Sequence, residues 1–342
     1  MYLQTLSEGS RICKQRQLTF GGGVVSPRGT LLRGQGIIEY VLIIAIIGLV
    51  IVFAGPGVAG AIRNQFNLVG NTVNSGTTGG VEGGGASGGG SIGADSATIQ
   101  AAVAKDAKDW TLDEQKAVAE DIAAKGEASP AYAKAKAAMD AGTKFTMKLT
   151  NGKTLEYRII GINHDDLADG SCKAGLTFEA TNSVMGAQRM NATFTNVGGW
   201  KKSELRSRLN TGDLWSLMPS DFRSKVKSVT KKTDNKGDSN PGTSAGTPSA
   251  TTDKVFLLSC TEVYGDLASD GSQYEYFKSK GVTKSNHSGA RPESIVNYWT
   301  RSVFPVFGYP AYPGYFCYVV NSGDWSCGFA ESSYTVFPAW CF

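Results

Sequence analysis

The residues best suited to chemistry in this chain are His164, Asp165 and Asp166, with Asp169 three positions on. An imidazole among carboxylates suits several divalent ions and could also move protons. The same residues, ahead of Gly170 at the end of a strand, fit a hydrogen-bonded turn, because Asp side chains bond their own backbone. The turn is the expectation, so neither a catalytic residue nor a metal ligand is assigned, and no cofactor is expected. The other histidine, His287, lies in the polar run KSNHSGARPES without a companion nearby in sequence. No Gly-rich phosphate loop or Gly-x-Ser-x-Gly elbow occurs. The remaining chemically loaded residue is Glu39, near the head of an apolar run. A carboxylate at membrane depth costs about 2–3 kcal/mol even on lenient scales, so it calls for a partner or a route to the interface.

The segment from Ile37 to Phe53 is apolar except for Glu39 and the amphipathic Tyr40. As a helix it covers most of the ~30 Å hydrocarbon core of a bilayer. Upstream, Arg11, Lys14, Arg16, Arg28 and Arg33 oppose only Glu8, which orients that flank to the cytoplasm and sends everything after Gly55 outward. A Sec signal peptide is the alternative, but its apolar core is shorter and its cleavage site follows the core. Here the best cleavage glycine precedes it.

Gly34 to Tyr40 read GQGIIEY, a glycine five residues before Glu-Tyr at the start of the hydrophobic helix. This resembles the processing site of type IVb (Flp/Tad) prepilins. The resemblance implies cleavage by a prepilin peptidase between Gly34 and Gln35, and an assembly role for Glu39 and Tyr40. It also implies pairing of Glu39 with the new N-terminal amine of a neighbouring subunit. Partners are then other pilin subunits and the peptidase. The chain would sit in the cytoplasmic membrane before assembly and outside the cell, in a pilus or on the surface, afterwards. The expected divisions are a leader over 1–34, an assembly helix over 35–73, a Gly/Ser linker over 74–96 and a binding domain over 97–342.

The chain carries 34 Lys and Arg against 30 Asp and Glu, and loss of the leader leaves 29 of each. A neutral mature chain offers no phosphate-neutralising face, so no nucleic-acid partner is expected. The basic stretch from Lys201 to Lys236 is interleaved with Ser, Asp and Leu and reads as a solvated face. Asn74 to Ser96 is a Gly/Ser coil with a reach of roughly 25 Å. A second low-complexity stretch, 234–253, reads as a disordered surface loop.

Past the tether the expected fold class is α+β. Ala97 to Lys108, the segment from Thr111 with Glu114 in a capping box and Gly126 as stop, and the segment opened by Ser129-Pro130 and ended by Gly142 predict a small helical collar. From Lys144 the alternation in FTMKL, the Asn151-Gly152 turn and TLEYRIIGI predict a β-hairpin.

The runs INHDDLADGSCKAGLTFEA, GGWKKSELRSRLN, DKVFLLSCTEVYG and YWTRS, and the ending FCYVVNSGDWSCGFAESSYTVFPAWCF, resemble an uncharacterised bacterial exported domain. That domain in turn is similar to the C-type-lectin-like and formylglycine-enzyme superfamily. The resemblance covers roughly Asp109 to Phe342 and implies a mixed domain with a buried W-x-R-S segment at Trp299 and Arg301 and a scaffold that also includes Trp325 and Trp340. The cysteines Cys317 and Cys341 lie in family-like phrases and are the expected bridge in an oxidising compartment; buried, reduced thiols are the other reading. Related enzymes use a close cysteine pair, whereas Cys317 and Cys327 are ten positions apart.

From Val303 to Phe342 the chain is rich in Tyr, Phe, Ser, Gly and Pro and has no Lys or Arg. Rigid aromatics among small polar residues make a recognition surface, and the same alternation would also build a core face. C-type-lectin-like domains with such endings are often variable targets of diversity-generating retroelements. The resemblance therefore implies ligand contacts at Phe304, Val306, Phe307, Tyr309, Tyr312, Tyr315, Tyr318, Cys327, Phe329 and Tyr334. The expected function is a pilin displaying an adhesin for a protein or glycan ligand. The alternative is an exported enzyme or sensor held by an uncleaved anchor.

Overall fold

A computed structural model describes residues 96–237, 247–265, 270–291, 296–303 and 314–342. All belong to the second of the chain's two units, Gly88–Phe342. Gly34, Gln35, Glu39, Tyr40 and the tether as far as residue 95 lie outside the described residues. Among the described residues no helix is long and apolar enough to cross a membrane. The fold is α+β.

The helical collar is α1 (Ser96–Ala104), α2 (Leu112–Lys125) and α3 (Tyr132–Ala141). Thr111 Oγ1 accepts from the Glu114 amide at 3.2 Å while the Glu114 carboxylate accepts from the Thr111 amide at 2.7 Å, so the capping box forms as predicted. Helix α3 stops at Gly142, whose φ of 64° favours a residue without a Cβ. The helices are tied together by Trp110 Nε1, which donates to the Ala102 carbonyl at 2.7 Å, and by Lys134, which donates to the Lys105 carbonyl at 2.6 Å.

The predicted hairpin pairs β1 (Phe145–Lys148) with β2 (Thr154–Ile162). It continues into β3 (Leu176–Ala180), β12 (Ala339–Cys341) and β7 (Val255–Phe256), giving one five-stranded sheet. Trp340 on β12 stands opposite Phe178 and is fully buried. Its ring lies 4.9 Å from Tyr157, 6.1 Å from Phe178 and 5.2 Å from Phe222, so it is the hub of this core. Phe222 comes from α7 (Ser220–Lys225), the last of four short helices after α4 (Gly199–Lys202), α5 (Glu204–Asn210) and α6 (Asp213–Ser216).

The second five-stranded sheet has the order β10 (Trp325–Phe329), β9 (Tyr315–Val319), β8 (Tyr298–Val303), β11 (Tyr334–Thr335), β4 (Ala187–Gln188). A two-stranded ribbon, β5 (Val229–Asp234) with β6 (Pro248–Asp253), corrects two expectations. The stretch 234–253 is not loop throughout, because its last six residues pair with β5 and bury Thr251 and Asp253. Nor is the basic segment solvated throughout: Lys231 faces inward, 3% exposed, because Asp165 and Glu262 wait there.

Candidate ligand-binding face

Strands β9 and β10 form a hairpin closed by Val320 to Asp324, in which the Val320 amide donates to the Asp324 carbonyl at 2.8 Å. Directly opposed residues share a face of a sheet and neighbours along a strand alternate. The pairs Tyr315/Phe329, Cys317/Cys327 and Val319/Trp325 therefore share one face, and Tyr318 and Ser326 share the other.

On the first face the Tyr315 and Phe329 rings lie 4.7 Å apart, and Phe194 closes a triangle at 5.9 and 5.2 Å. Phe194 and Phe329 are each 44% exposed and the neighbouring Val197 50%, and these are the large hydrophobics left exposed among the described residues. Asn196 Nδ2 donates to the Tyr315 carbonyl at 3.1 Å and holds this loop to the strand. Gly314 lets Phe194 approach, since a Cβ there would fall 2.6 Å from its ring.

On the second face Tyr318 and Tyr334 stack at 4.3 Å, and Trp299 meets Tyr334 at 4.6 Å. Gly328 makes room, because a Cβ there would lie 2.7 Å from the Tyr334 ring. Burial, with Tyr318 alongside, pushes the Tyr334 phenol up to about 12. The expected contacts are thus not one surface: Tyr315, Cys327 and Phe329 lie on one face, Tyr318 and Tyr334 on the other. Phe304, Val306, Phe307, Tyr309 and Tyr312 lie outside the described residues. Phe194 and Val197 were not anticipated, and an isolated Phe in the polar run RMNATFTNVGG was the one available signal.

A buried ionic network stands behind this sheet. Arg301 on β8 is fully buried and grips both oxygens of Glu262, which lies on α8 (Cys260–Tyr264). It also donates to Thr233 Oγ1 at 2.8 Å and to the carbonyls of Leu257 at 2.9 Å and Asp270 at 2.8 Å. Lys231 bridges Glu262, at 2.6 Å, and Asp165. Asp165 accepts further bonds from Thr177 Oγ1 at 2.6 Å and Tyr274 OH at 2.9 Å. Burial works against ionised Asp165 and Glu262, but Lys231 holds the Asp165 carboxyl well below the usual carboxylate range, and Arg301 with Lys231 lowers that of Glu262. Acids held ionised in this way serve as counter-ions rather than proton donors.

The His164 cluster divides into separate roles. Asp169 forms the predicted turn, accepting from the Ser171 amide at 3.0 Å. Asp166 pairs with Lys173 at 2.9 Å, while Asp165 turns into the ionic network. His164 stacks on Tyr274 with centroids 4.0 Å apart and bonds Glu275 at 3.2 Å. Glu275 opens α9 (Glu275–Ser279). Among the described residues no group of His, Cys, Asp and Glu is placed to hold a metal ion.

The expected Cys317–Cys341 bridge is corrected. All five described cysteines are free thiols. Cys341 belongs to the first sheet, beside Thr177 Oγ1 at 3.4 Å, whereas Cys317 lies in the second sheet opposite Cys327. The spacing of ten residues therefore does not separate Cys317 from Cys327, because the hairpin folds one onto the other. Burial raises both thiols, Cys317 most strongly, which leaves them poor nucleophiles. Trp299, Arg301 and Trp340 are buried, whereas Trp325 is only half-buried.

Residues 175–342 match the model of DUF6273, a domain of unknown function. The matched span takes in β3, the ribbon, the whole second sheet and the Arg301–Glu262 pair. No curated protein and no solved structure matches the chain.

Proposed function

We propose that this chain is a type IVb (Flp-like) pilin subunit that displays a C-type-lectin-like recognition domain, and that the domain works by binding a protein or glycan rather than by catalysis. The observation that carries the binding part is the gathering of the exposed Phe194 and Phe329 around Tyr315 at one end of the second sheet. Exposed large hydrophobics scattered singly need no explanation, but a contiguous aromatic group at a sheet end is a recognition surface. Its position adds support. Residues 304–313, rich in Phe, Tyr and Pro, join the end of β8 to Gly314, which touches Phe194. Rigid rings on a sheet, backed by the Arg301 network, lose little conformational entropy on binding. The pilin part rests on Gly34, Glu39, Tyr40 and the apolar run behind them.

The test has two arms. N-terminal sequencing of the exported chain is expected to begin at Gln35, and a mature chain retaining the basic leader overturns the pilin part. On a glycan and protein array, the full-length chain is expected to give hits that a Phe194→Ser/Phe329→Ser variant loses by about tenfold or more. Hits that survive this double substitution overturn the assignment of the face.

A further inference from the structure

A cavity of about 420 Å³ opens among residues that play no part in the aromatic face. Its lining includes Lys144, Arg158, Thr181, Tyr276, Lys280 and Arg291. These side chains come from β2, α9, the end of α9 and the loops around them, so cations far apart in sequence converge on one space.

The charges do not cancel. Lys144 pairs with Glu156 at 2.7 Å and Arg158 with Glu179 at 2.9 Å, and neither carboxylate lines the cavity. Lys280 donates to the Asp140 carbonyl at 2.8 Å, which holds its ammonium at the rim without neutralising it. Arg291 donates to the Ser288 carbonyl at 3.2 Å. Among the described residues neither Lys280 nor Arg291 faces a carboxylate within ion-pair distance, and both are exposed. Among the described residues the wall therefore carries two positive charges that no carboxylate pairs.

Two buried polar atoms here also lack partners. Arg158 is 5% exposed and Thr181 2%, yet Arg158 Nε and Thr181 Oγ1 make no hydrogen bond. Both atoms are sealed from solvent, so the donors that reach the cavity are those of Tyr276, Lys280 and Arg291. Arg158 Nη1 donates to Tyr276 OH at 2.9 Å, and its guanidinium lies 4.1 Å from the centre of that ring. Tyr276 keeps its own hydroxyl proton to donate. Tyr276, Lys280 and Arg291 thus present donors, as an oxyanion requires.

We infer that this cavity binds a phosphate monoester. A phosphomonoester carries close to two negative charges at neutral pH, matching the cations of Lys280 and Arg291, whereas a sulfate ester carries one. The volume exceeds that of the bare anion and leaves room for the group it esterifies. The inference is independent of the proposed function.

The experiment is calorimetric titration of the full-length chain, purified in mild detergent, with inorganic phosphate, glucose 6-phosphate and inorganic sulfate. Phosphate or the sugar phosphate is expected to bind with a dissociation constant below about 1 mM, the sugar phosphate more tightly and sulfate more weakly. Lys280→Met and Arg291→Met, both at exposed positions, are each expected to weaken binding about tenfold, and Lys201→Met, outside the cavity, to leave it unchanged. No binding of any probe at about 10 mM overturns the site. Equal binding of sulfate, or full binding by both Met variants, overturns the phosphomonoester assignment.

Discussion

Replacing Arg301 with Met tests whether the buried network holds the second sheet in place. The substitution conserves much of the volume but removes six hydrogen bonds: two to Glu262, and one each to Thr233, Leu257, Asp270 and Lys232. Glu262, 2% exposed, is left with the Ser259 amide at 3.0 Å and with Lys231, which Asp165 already shares. Breaking a buried ion pair from one side costs about 3–5 kcal/mol, and the stranded carbonyls place this case near the upper end. With a urea slope of about 3 kcal/mol per M, the unfolding midpoint of the full-length chain is expected to fall by about 1–1.7 M. Adding Glu262→Gln is expected to restore about 1–3 kcal/mol, because the stranded charge causes much of the loss. Arg208→Met, which breaks the exposed Arg208–Asp213 pair, is the control and is expected to move stability by under about 0.5 kcal/mol. A loss under about 1 kcal/mol for Arg301→Met, or a double variant as unstable as the two losses summed, would refute the reasoning.

Three further outcomes are expected. Thr111→Ala removes the acceptor for the Glu114 amide and is expected to cost about 1 kcal/mol, read as a lower urea midpoint; no change would show that the cap carries no weight. Burial opposes the charged form of His164, but the bond to Glu275 and the charges of Asp165 and Glu262 outweigh it and raise its pKa. A raised histidine pKa adds stability that is complete below about pH 6.5 and is lost as pH rises through the folded value. Urea midpoints compared at about pH 5.5 and 8.5 are thus expected to drop for wild type and to drop less for His164→Gln, with equal drops counting against this account. Gly328→Ala would drive a methyl into Tyr334 and is expected to cost about 1–3 kcal/mol and to shift the tyrosine fluorescence; an unchanged spectrum and midpoint would show that the two stacked rings can yield.

Local chemistry was legible in the sequence, and chemistry that depends on distant partners was not. The capping box at Thr111 and the Asn151-Gly152 hairpin are set by residues within four positions of one another, and both formed as read. Pro248 to Asp253 looks like loop because Ser, Thr and Pro dominate it, and only pairing with β5 makes it a strand. Lys231 looks like one more surface lysine, since the carboxylates that draw it inward come from Asp165 and Glu262, remote in sequence. The aromatic composition of the tail is plain in the sequence. Which ring shares a face with which depends on the β9–β10 register, and Phe194 joins the group from another part of the chain. The cavity at Arg158 was invisible for the same reason, its cations being single residues scattered among unrelated segments.

The position of β12 between β3 and β7 has a consequence for how the molecule is made. Phe178 and the hairpin before it leave the ribosome long before Trp340 arrives to cover them. Until then β3 presents an unpaired border and an open aromatic socket, the kind of surface that invites association with other chains. Closure of the first sheet must therefore wait until Trp340 has been synthesised, and a chain held unfolded until then avoids that hazard.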